Sequence, residues 1–421
     1  MTDPMTDTDV AIVGAGAAGL AAAKTLGELG VPFVVLEASH RIGGRAYTEA
    51  VGPGQPFDLG CHWMHSASLN PFVAIADAHG FDYEKSGFNW RMRIDGAWAS
   101  AAEEAERDAF LKRNFAAIAR AAEAGPDRSA AEVTERENRW TPVFDYFFSG
   151  WTSLDVDQVS IVDLETYIDT DENWPLKQGF GSLVARHAAG VPVTLNARVA
   201  TIDWSGKALR LTTPKGELRA KKVIVTVSTD ILSGGYIDFD PALPDWKQEA
   251  AAALPLGNHN RICLIYDRNV FGDPPPPAAT VLDDGAEPMS FEIRPFGYDY
   301  VVGLTGGRFA DWLERAGVEA SEDLAKENLK KAFGADIVKH VVGRNVTAWR
   351  GDPWVRGAYS AALLGQTDQR PRLAEPLDGR LFFAGEATSP EYYSTAHGAH
   401  LTGIETARQV ARALEYAHNP T

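Results

Sequence analysis

Apolar residues fall into two kinds of pattern along this chain. In the first they run on without a break. "DVAIVG" is continuous, with β-branched Ile12 and Val13, and predicts a strand buried on both faces. A helix rich in Ala and Leu follows, and "PFVVLE" predicts a second buried strand ending on Glu37. "GRLFFAGEATS" predicts a third, turning at Gly385-Glu386 ahead of a terminal helix, "TAHGAHLTGIETARQVARALEY". In the second kind, apolar and polar residues alternate. "VPVTLNARVATIDWSGKALRLTTPKGELRAKKVIVTVS" predicts a meander with turns at Ser205-Gly206 and Pro214-Lys215-Gly216, returning to a buried strand at 223–227. "NRICLIYD" and "YDYVVGLTGG" predict further strands. "AAEEAERDAFLKRNFAAIARAAEAG" predicts an amphipathic covering helix without a chemical signature. "ENWPLKQGFGSLVARHAAG" predicts a loop entering a helix, and "DPPPPAA" a rigid surface loop. No internal repeat interrupts the series.

Strand, helix and strand at the start frame a glycine pattern. Gly14, Gly16 and Gly19 stand at G-x-G-x-x-G spacing, and Glu37 follows Gly19 by 18 residues. Each part has a physical task in holding a dinucleotide. Gly14 makes the tight turn, Gly16 admits a pyrophosphate to the backbone, and Gly19 lets helix and strand pack closely. The helix N-terminus offers free N–H groups and partial positive charge to the anion. Glu37 accepts from ribose hydroxyls and disfavours a 2′-phosphate.

Bulk composition narrows the remaining classes. A chain of 421 residues, 45% hydrophobic and 23% charged, is long enough for more than one structural unit and too apolar for disorder. Its 40 basic and 57 acidic residues give a net charge of −17, which disfavours nucleic acid as a partner. The acidity reads as solubility, or as attraction for a cationic substrate. Two cysteines without a CxxC, Cys61 and Cys263, exclude a disulfide framework and a Cys-rich zinc site and fit a reducing compartment. The start "MTDPMTDTDV" has no basic n-region, and the apolar run at 10–23 is too short and glycine-rich to span a bilayer. The expected location is cytoplasmic, with no membrane partner, no metal, and no feature that sets an oligomeric state.

A second glycine turn sharpens the cofactor. "EASHRIGGRAYT" carries Gly43, Gly44 and Arg45 directly after the ribose acid and Ala38. An NAD unit needs no cationic glycine turn there, whereas an FAD unit uses the glycines for close approach and the Arg for phosphate. With "DLGCHWMHS", "AWRGDPWVRGAYS" and "FFAGEATSPEYYSTAHGAHLTG" in order, the chain resembles the flavin-dependent amine oxidases over nearly its whole length. The nearest branch is that of polyamine oxidases and histone lysine demethylases, with their bacterial relatives.

That resemblance implies an α/β fold: a Rossmann-like FAD-binding domain of glutathione-reductase type with an inserted α+β substrate domain. Residues 1–80, 176–235 and 350–421 would form the first, and 81–175 and 236–349 the second. It implies FAD held non-covalently, since no Cys lies between Gly385 and Thr421. Gly385 and Glu386 would contact the ribityl or pyrophosphate, and Val199 the adenine. His62 and Trp63 would flank the flavin. Thr395 and Ala396 would open a helix aimed at its N1–C2=O edge, where a helix N-terminus stabilises the charge of reduction. Trp349, Tyr359 and Trp63 would wall the substrate space, with His65 at the position that carries His or Glu in polyamine oxidases. His65 reads equally as a satisfied buried histidine, and the aromatics as core. His397 reads as fixing the helix start; His40 and His400 have no assigned role. Asp169, Asp171 and Glu172 would attract distal ammonium groups or form a solvated loop.

Two positions depart from the family. Arg261 stands where the family places a Lys beside flavin N5, a residue linked to oxygen reactivity, and a planar guanidinium cannot copy a compact ammonium. Thr395 replaces an aromatic of the monoamine oxidases. The reading that follows is oxidation of an amine C–N bond by hydride transfer to N5, with the imine hydrolysed to aldehyde or ketone and oxygen yielding hydrogen peroxide. Two alternatives stand beside it: a dehydrogenase or desaturase using another acceptor, and a flavin-binding scaffold without turnover.

Overall fold

The computed structural model describes residues 6–85, 90–283 and 287–415; the first five residues of the acidic N-terminus and Tyr416, at the expected end of the last helix, lie outside them. The strand Thr6–Val13 pairs in parallel with Phe33–Leu36 on one side and Gly216–Val225 on the other. Its alternate residues enter different cores. Val10 and Ile12 pack under two helices, and Ala11 and Val13 pack under the meander. A strand covered on both faces has no position for a polar side chain, hence the unbroken apolar run.

The last strand of the meander and the buried strand expected at 223–227 are one strand, Gly216–Val225. Its first half pairs antiparallel with Leu209–Thr213 and alternates between exposed and buried. Its second half lies between Thr6–Val13 and Leu381–Phe383, parallel to both, and Val223, Ile224 and Val225 are buried in succession. Pattern therefore follows coverage: one covered face gives alternation, two give continuity. Beyond Thr201–Asp203 the strand Asp238–Asp240 adds a parallel edge, so this sheet runs past the boundary expected at 235.

Helix Ala17–Glu28 lies against the terminal helix Ala396–Glu415, joining the two ends of the chain on one face of the sheet. Gly403 permits the contact, since a Cβ there would stand 2.2 Å from the Ala18 carbonyl oxygen.

A second sheet of seven strands runs Val341–Val346, His259–Tyr266, Tyr300–Gly306, Met289–Ile293, Ala278–Leu282, Trp90–Ile94 and Ala97–Trp98. It is antiparallel except where Ala278–Leu282 meets Trp90–Ile94. The covering helix forms as Ala101–Ala124, started by a capping box in which Ser100 and Glu103 satisfy each other's backbone N–H groups. With Thr141–Thr152 it encloses a core of Phe110, Ile118, Trp140, Phe144 and Phe148. The result is α/β: a Rossmann-like sheet with helices, and an inserted α+β unit. No helix among the described residues is long and apolar enough to cross a membrane.

Candidate active site

A single cavity of about 1060 Å³ passes from the ends of the parallel strands into the second unit. At its near end lie the first glycines. Gly14 has φ +106°, and a Cβ there would stand 2.6 Å from Thr226 Oγ1. Gly19 would meet the Gly14 carbonyl oxygen at 2.0 Å; it does not line the cavity and serves helix–strand packing alone. Gly16 differs. The nearest heavy atom to its Cβ would be Gly43 O at 4.0 Å, and Gly385, at φ +147°, would meet nothing within 4 Å. Both line the cavity; at Gly16 what needs glycine is an occupant rather than the protein, whereas at Gly385 the positive φ needs it as well.

The two glycine turns are knitted together. Gly43 N–H donates to Ala15 O at 2.8 Å, and a Cβ on Gly44 would lie 3.4 Å from Gly16 Cα. Glu37 accepts from Ala15 N–H at 2.6 Å and Ser39 N–H at 2.8 Å, which fixes its carboxylate at the cavity wall with Ala38 and Val199. Arg45 donates to Ala358 O at 2.7 Å and to Glu386 Oε1 at 2.9 Å. Glu386 also accepts from Ser360 Oγ at 2.7 Å and Ser394 N–H at 2.8 Å. Burial by itself would raise the Glu386 carboxyl, but Arg45, the Ser360 hydroxyl and Arg370 together hold it below its ordinary value. Thr395 caps the terminal helix: its hydroxyl accepts from Gly398 N–H at 3.0 Å, leaving Ala396 as the first helical residue, and both face the cavity. Glycine backbone, guanidinium, ribose acid and helix N-terminus thus surround one space, and they fit FAD.

At the far end Trp63, Trp349 and Tyr359 line the cavity with Trp90, Phe115 and Trp151. Trp349 Nε1 donates to Leu59 O at 3.1 Å, and the Tyr359 hydroxyl donates to Gly150 O, so both rings are held by their polar ends. His65 follows the two-stranded pairing of Trp63–Met64 with Trp174–Pro175, which brings Asn173 opposite. Its Nδ1 donates to Asn173 Oδ1 at 2.5 Å, so Nε2 keeps its lone pair. Burial lowers its pKa, against the Asn173 hydrogen bond, which favours the cation.

Arg261 is 2% exposed on His259–Tyr266 and reaches the cavity. Its Nη2 donates to Glu292 Oε2 at 2.8 Å, and its guanidinium lies 5.4 Å from the Trp63 ring. On the other side of Glu292, His62 Nε2 stands 3.5 Å from Oε1, while His62 Nδ1 bonds Asp58 Oδ2 at 2.9 Å. Arg261 is therefore one member of a buried row of ionisable side chains, Asp58, His62, Glu292 and Arg261.

Of the acids expected near the substrate, Asp169 and Asp171 line the cavity and Glu172 does not. Glu172 is turned to Ser68 N–H and Thr170 Oγ1, each at 3.0 Å. His397 is buried, with Nδ1 3.2 Å from Asn70 Nδ2; His400 is buried off the cavity, and His40 is exposed. Sequence reasoning passed over Asn173, Glu292, Asp163, Ser360, Arg370 and Tyr393. Glu292 had a signal, an acid inside the apolar run "MSFEI". Asp163 and Arg370 had none, for each explains the other only in space.

A flavin-dependent oxidoreductase is the class that this fold and cradle define. Residues 17–411 match the family of flavin containing amine oxidoreductases, and the protein belongs to it. Its chemistry is FAD-dependent oxidation of amines. The chain is 28% identical over 449 aligned positions to Probable polyamine oxidase 4 of Arabidopsis thaliana, covering 96% of this chain and 87% of that one. It is 26% identical to Lysine-specific histone demethylase 2 of Homo sapiens, spanning 96% of this chain and 53% of that protein. The structure of wild-type putrescine oxidase bound to putrescine superposes with a TM-score of 0.79 at 20% identity, covering 97% of this chain and 100% of the other. Among the described residues no group of three His, Cys, Asp or Glu side chains is placed to hold a metal.

Proposed function

We propose that the substrate is a small di- or polyamine, oxidised at a primary or secondary amine, with FAD held non-covalently and oxygen as acceptor. The observation that carries this is one continuous cavity whose lining joins the cofactor cradle to the aromatic rings of Trp63, Trp349 and Tyr359, to His65 and to the carboxylates of Asp169 and Asp171. Bound FAD supplies the hydride acceptor. The chain's own residues bind and orient the amine. His65 Nε2 accepts an N–H of the amine to be oxidised. Apolar, aromatic walls disfavour the ammonium form of that nitrogen and so release the lone pair it needs. Asp169 and Asp171 attract a distal ammonium, which keeps its charge. Trp349 and Tyr359, tied at their polar ends, exclude water. The same cysteine usage that excludes a disulfide framework supports a cytoplasmic setting, with Cys61 and Cys263 both free.

Anaerobic mixing with butylamine, putrescine and spermidine tests the substrate class. Bleaching of the flavin by the di- and polyamine at lower concentration than by butylamine is expected, and equal potency overturns the distal site. One observation favours a second reading, an acceptor other than oxygen: the cation at the cavity wall is a guanidinium already paired with Glu292. Dye reduction without peroxide release distinguishes it.

A further inference from the structure

Arg370 lies on the short helix Gln369–Ala374 and is 1% exposed. Its Nε and Nη2 fork onto the Asp163 carboxylate at 3.0 and 2.9 Å. Its Nη1 donates to Ser360 Oγ at 3.0 Å and to Ala387 O at 3.3 Å. The guanidinium carbon lies 3.7 Å from the centre of the Tyr393 ring. Since the Ser360 hydroxyl donates to Glu386, and Glu386 pairs with Arg45, a string of alternating charge runs Arg45, Glu386, Arg370, Asp163. Both its ends line the cavity, Arg45 in the cofactor cradle and Asp163 in the wall of the second unit.

The far end is held in part by the string, beside the Ser160 hydroxyl on Asp163 N–H at 3.0 Å and the Asp127 carboxylate on Val162 N–H at 3.2 Å. Asp163 lies on the four-residue helix Ile161–Leu164, too short to persist on its own hydrogen bonds. It is fastened by the Arg370 fork and by the Tyr393 hydroxyl, shared between the carbonyls of Asp163 at 3.2 Å and Leu164 at 3.1 Å. The near end is where the cofactor acts. A diphosphate held beside Arg45 would offset part of that residue's charge, and Glu386 would then bear more strongly on Ser360 and Arg370. Buried charges transmit such a change because little water screens them.

We propose that Arg370 is a positioning residue that makes the order of this substrate wall, Ile161–Leu164 with Tyr393, depend on occupancy of the cofactor cradle. Nothing in the glycine motifs predicts such a link, and it requires no contact between the cofactor and the short helix.

Hydrogen exchange of the holoenzyme and its deflavinated form tests this without a substrate. In the parent, FAD is expected to slow amide exchange at 161–166 by about tenfold, within the range of ordinary coupling between sites. In Arg370→Met and in Ser360→Ala that slowing is lost, while FAD still protects the turn at 14–19. A parent in which FAD leaves 161–166 unchanged overturns the proposal, as does slowing that persists in the variants. If Arg370→Met does not fold, Ser360→Ala decides alone, since it removes one hydroxyl and no charge.

Discussion

Arg261 and Glu292 form a buried ion pair at 2.8 Å on one face of the second sheet, across the strand Tyr300–Gly306, and the Arg reaches the cavity wall. Its charge thus has a structural task besides any role toward the flavin. Arg261→Met leaves Glu292 buried without its partner, and urea denaturation is expected to show a loss of about 3–5 kcal/mol. Arg261→Lys keeps the charge and is expected to lose much less. In stopped-flow measurements Arg261→Lys is expected to speed reoxidation of the flavin by oxygen and to leave reduction nearly unchanged, and Arg261→Met to slow reoxidation. Identical reoxidation in parent and Arg261→Lys would remove Arg261 from the oxygen half-reaction.

The glycines separate binding from folding. Gly16→Val places its side chain in open cavity, so the flavin-to-protein absorbance ratio falls while the deflavinated protein melts near the parent's temperature. Gly19→Ala does the reverse: a Cβ 2.0 Å from Gly14 O is overpacked, costing about 1–3 kcal/mol in the deflavinated protein. Acid precipitation of the parent is expected to release the flavin into the supernatant; colour that stays with the pellet overturns non-covalent attachment. Burial pushes the Cys61 thiol up to about 11, against the pull of Arg45, so this cavity-lining cysteine is a poor nucleophile for attachment.

If a distal ammonium meets the carboxylates, charge removal acts on binding. Asp171→Asn is expected to raise KM for spermidine with little loss of kcat, the mark of interactions made equally in ground and transition states. Glu172→Gln serves as the control: its carboxylate is held by Ser68 and Thr170, so KM stays put. A KM that moves as much for Glu172→Gln as for Asp171→Asn refutes this assignment.

Acid stability follows from two buried histidines. Burial, then His65 and His400, pushes His397 down to about 3; burial, then His187 and Lys24, pushes His400 down to about 4. The unfolded chain therefore binds more protons than the folded one below about pH 6.5. Stability is full above that value and falls as pH drops toward the folded pKa, by up to about 1.4 kcal/mol per pH unit for each histidine. Urea midpoints at pH 7 and pH 5 measure the slope. His400→Leu, which keeps an apolar contact for the Phe72 ring 5.0 Å away, is expected to flatten it.

How far the sequence reached depended on whether cause and effect were near each other in the chain. The strand at 6–13, its glycine turn and Glu37 were legible because turn, helix start and ribose acid are local requirements on residue type. The terminal helix and its Thr395 cap were legible for the same reason. Continuous burial at Val223, Ile224 and Val225 was also written in the sequence, but the merging of that strand with the meander was not, since it depends on which neighbours cover each half. The packing task of Gly19 was legible as well, but that its missing Cβ would meet the Gly14 carbonyl oxygen only the packed helix shows. Asp169, Asp171 and Glu172 are nearly adjacent in sequence, and a positive φ of 58° at Asp171 divides them between cavity and loop. Glu292 beside Arg261, Asn173 beside His65, and Asp163 beside Arg370 are pairs brought together by folding across 31, 108 and 207 residues. A local motif constrains the backbone it lies on. A buried charge needs only some partner, and which one it receives is decided by the tertiary structure.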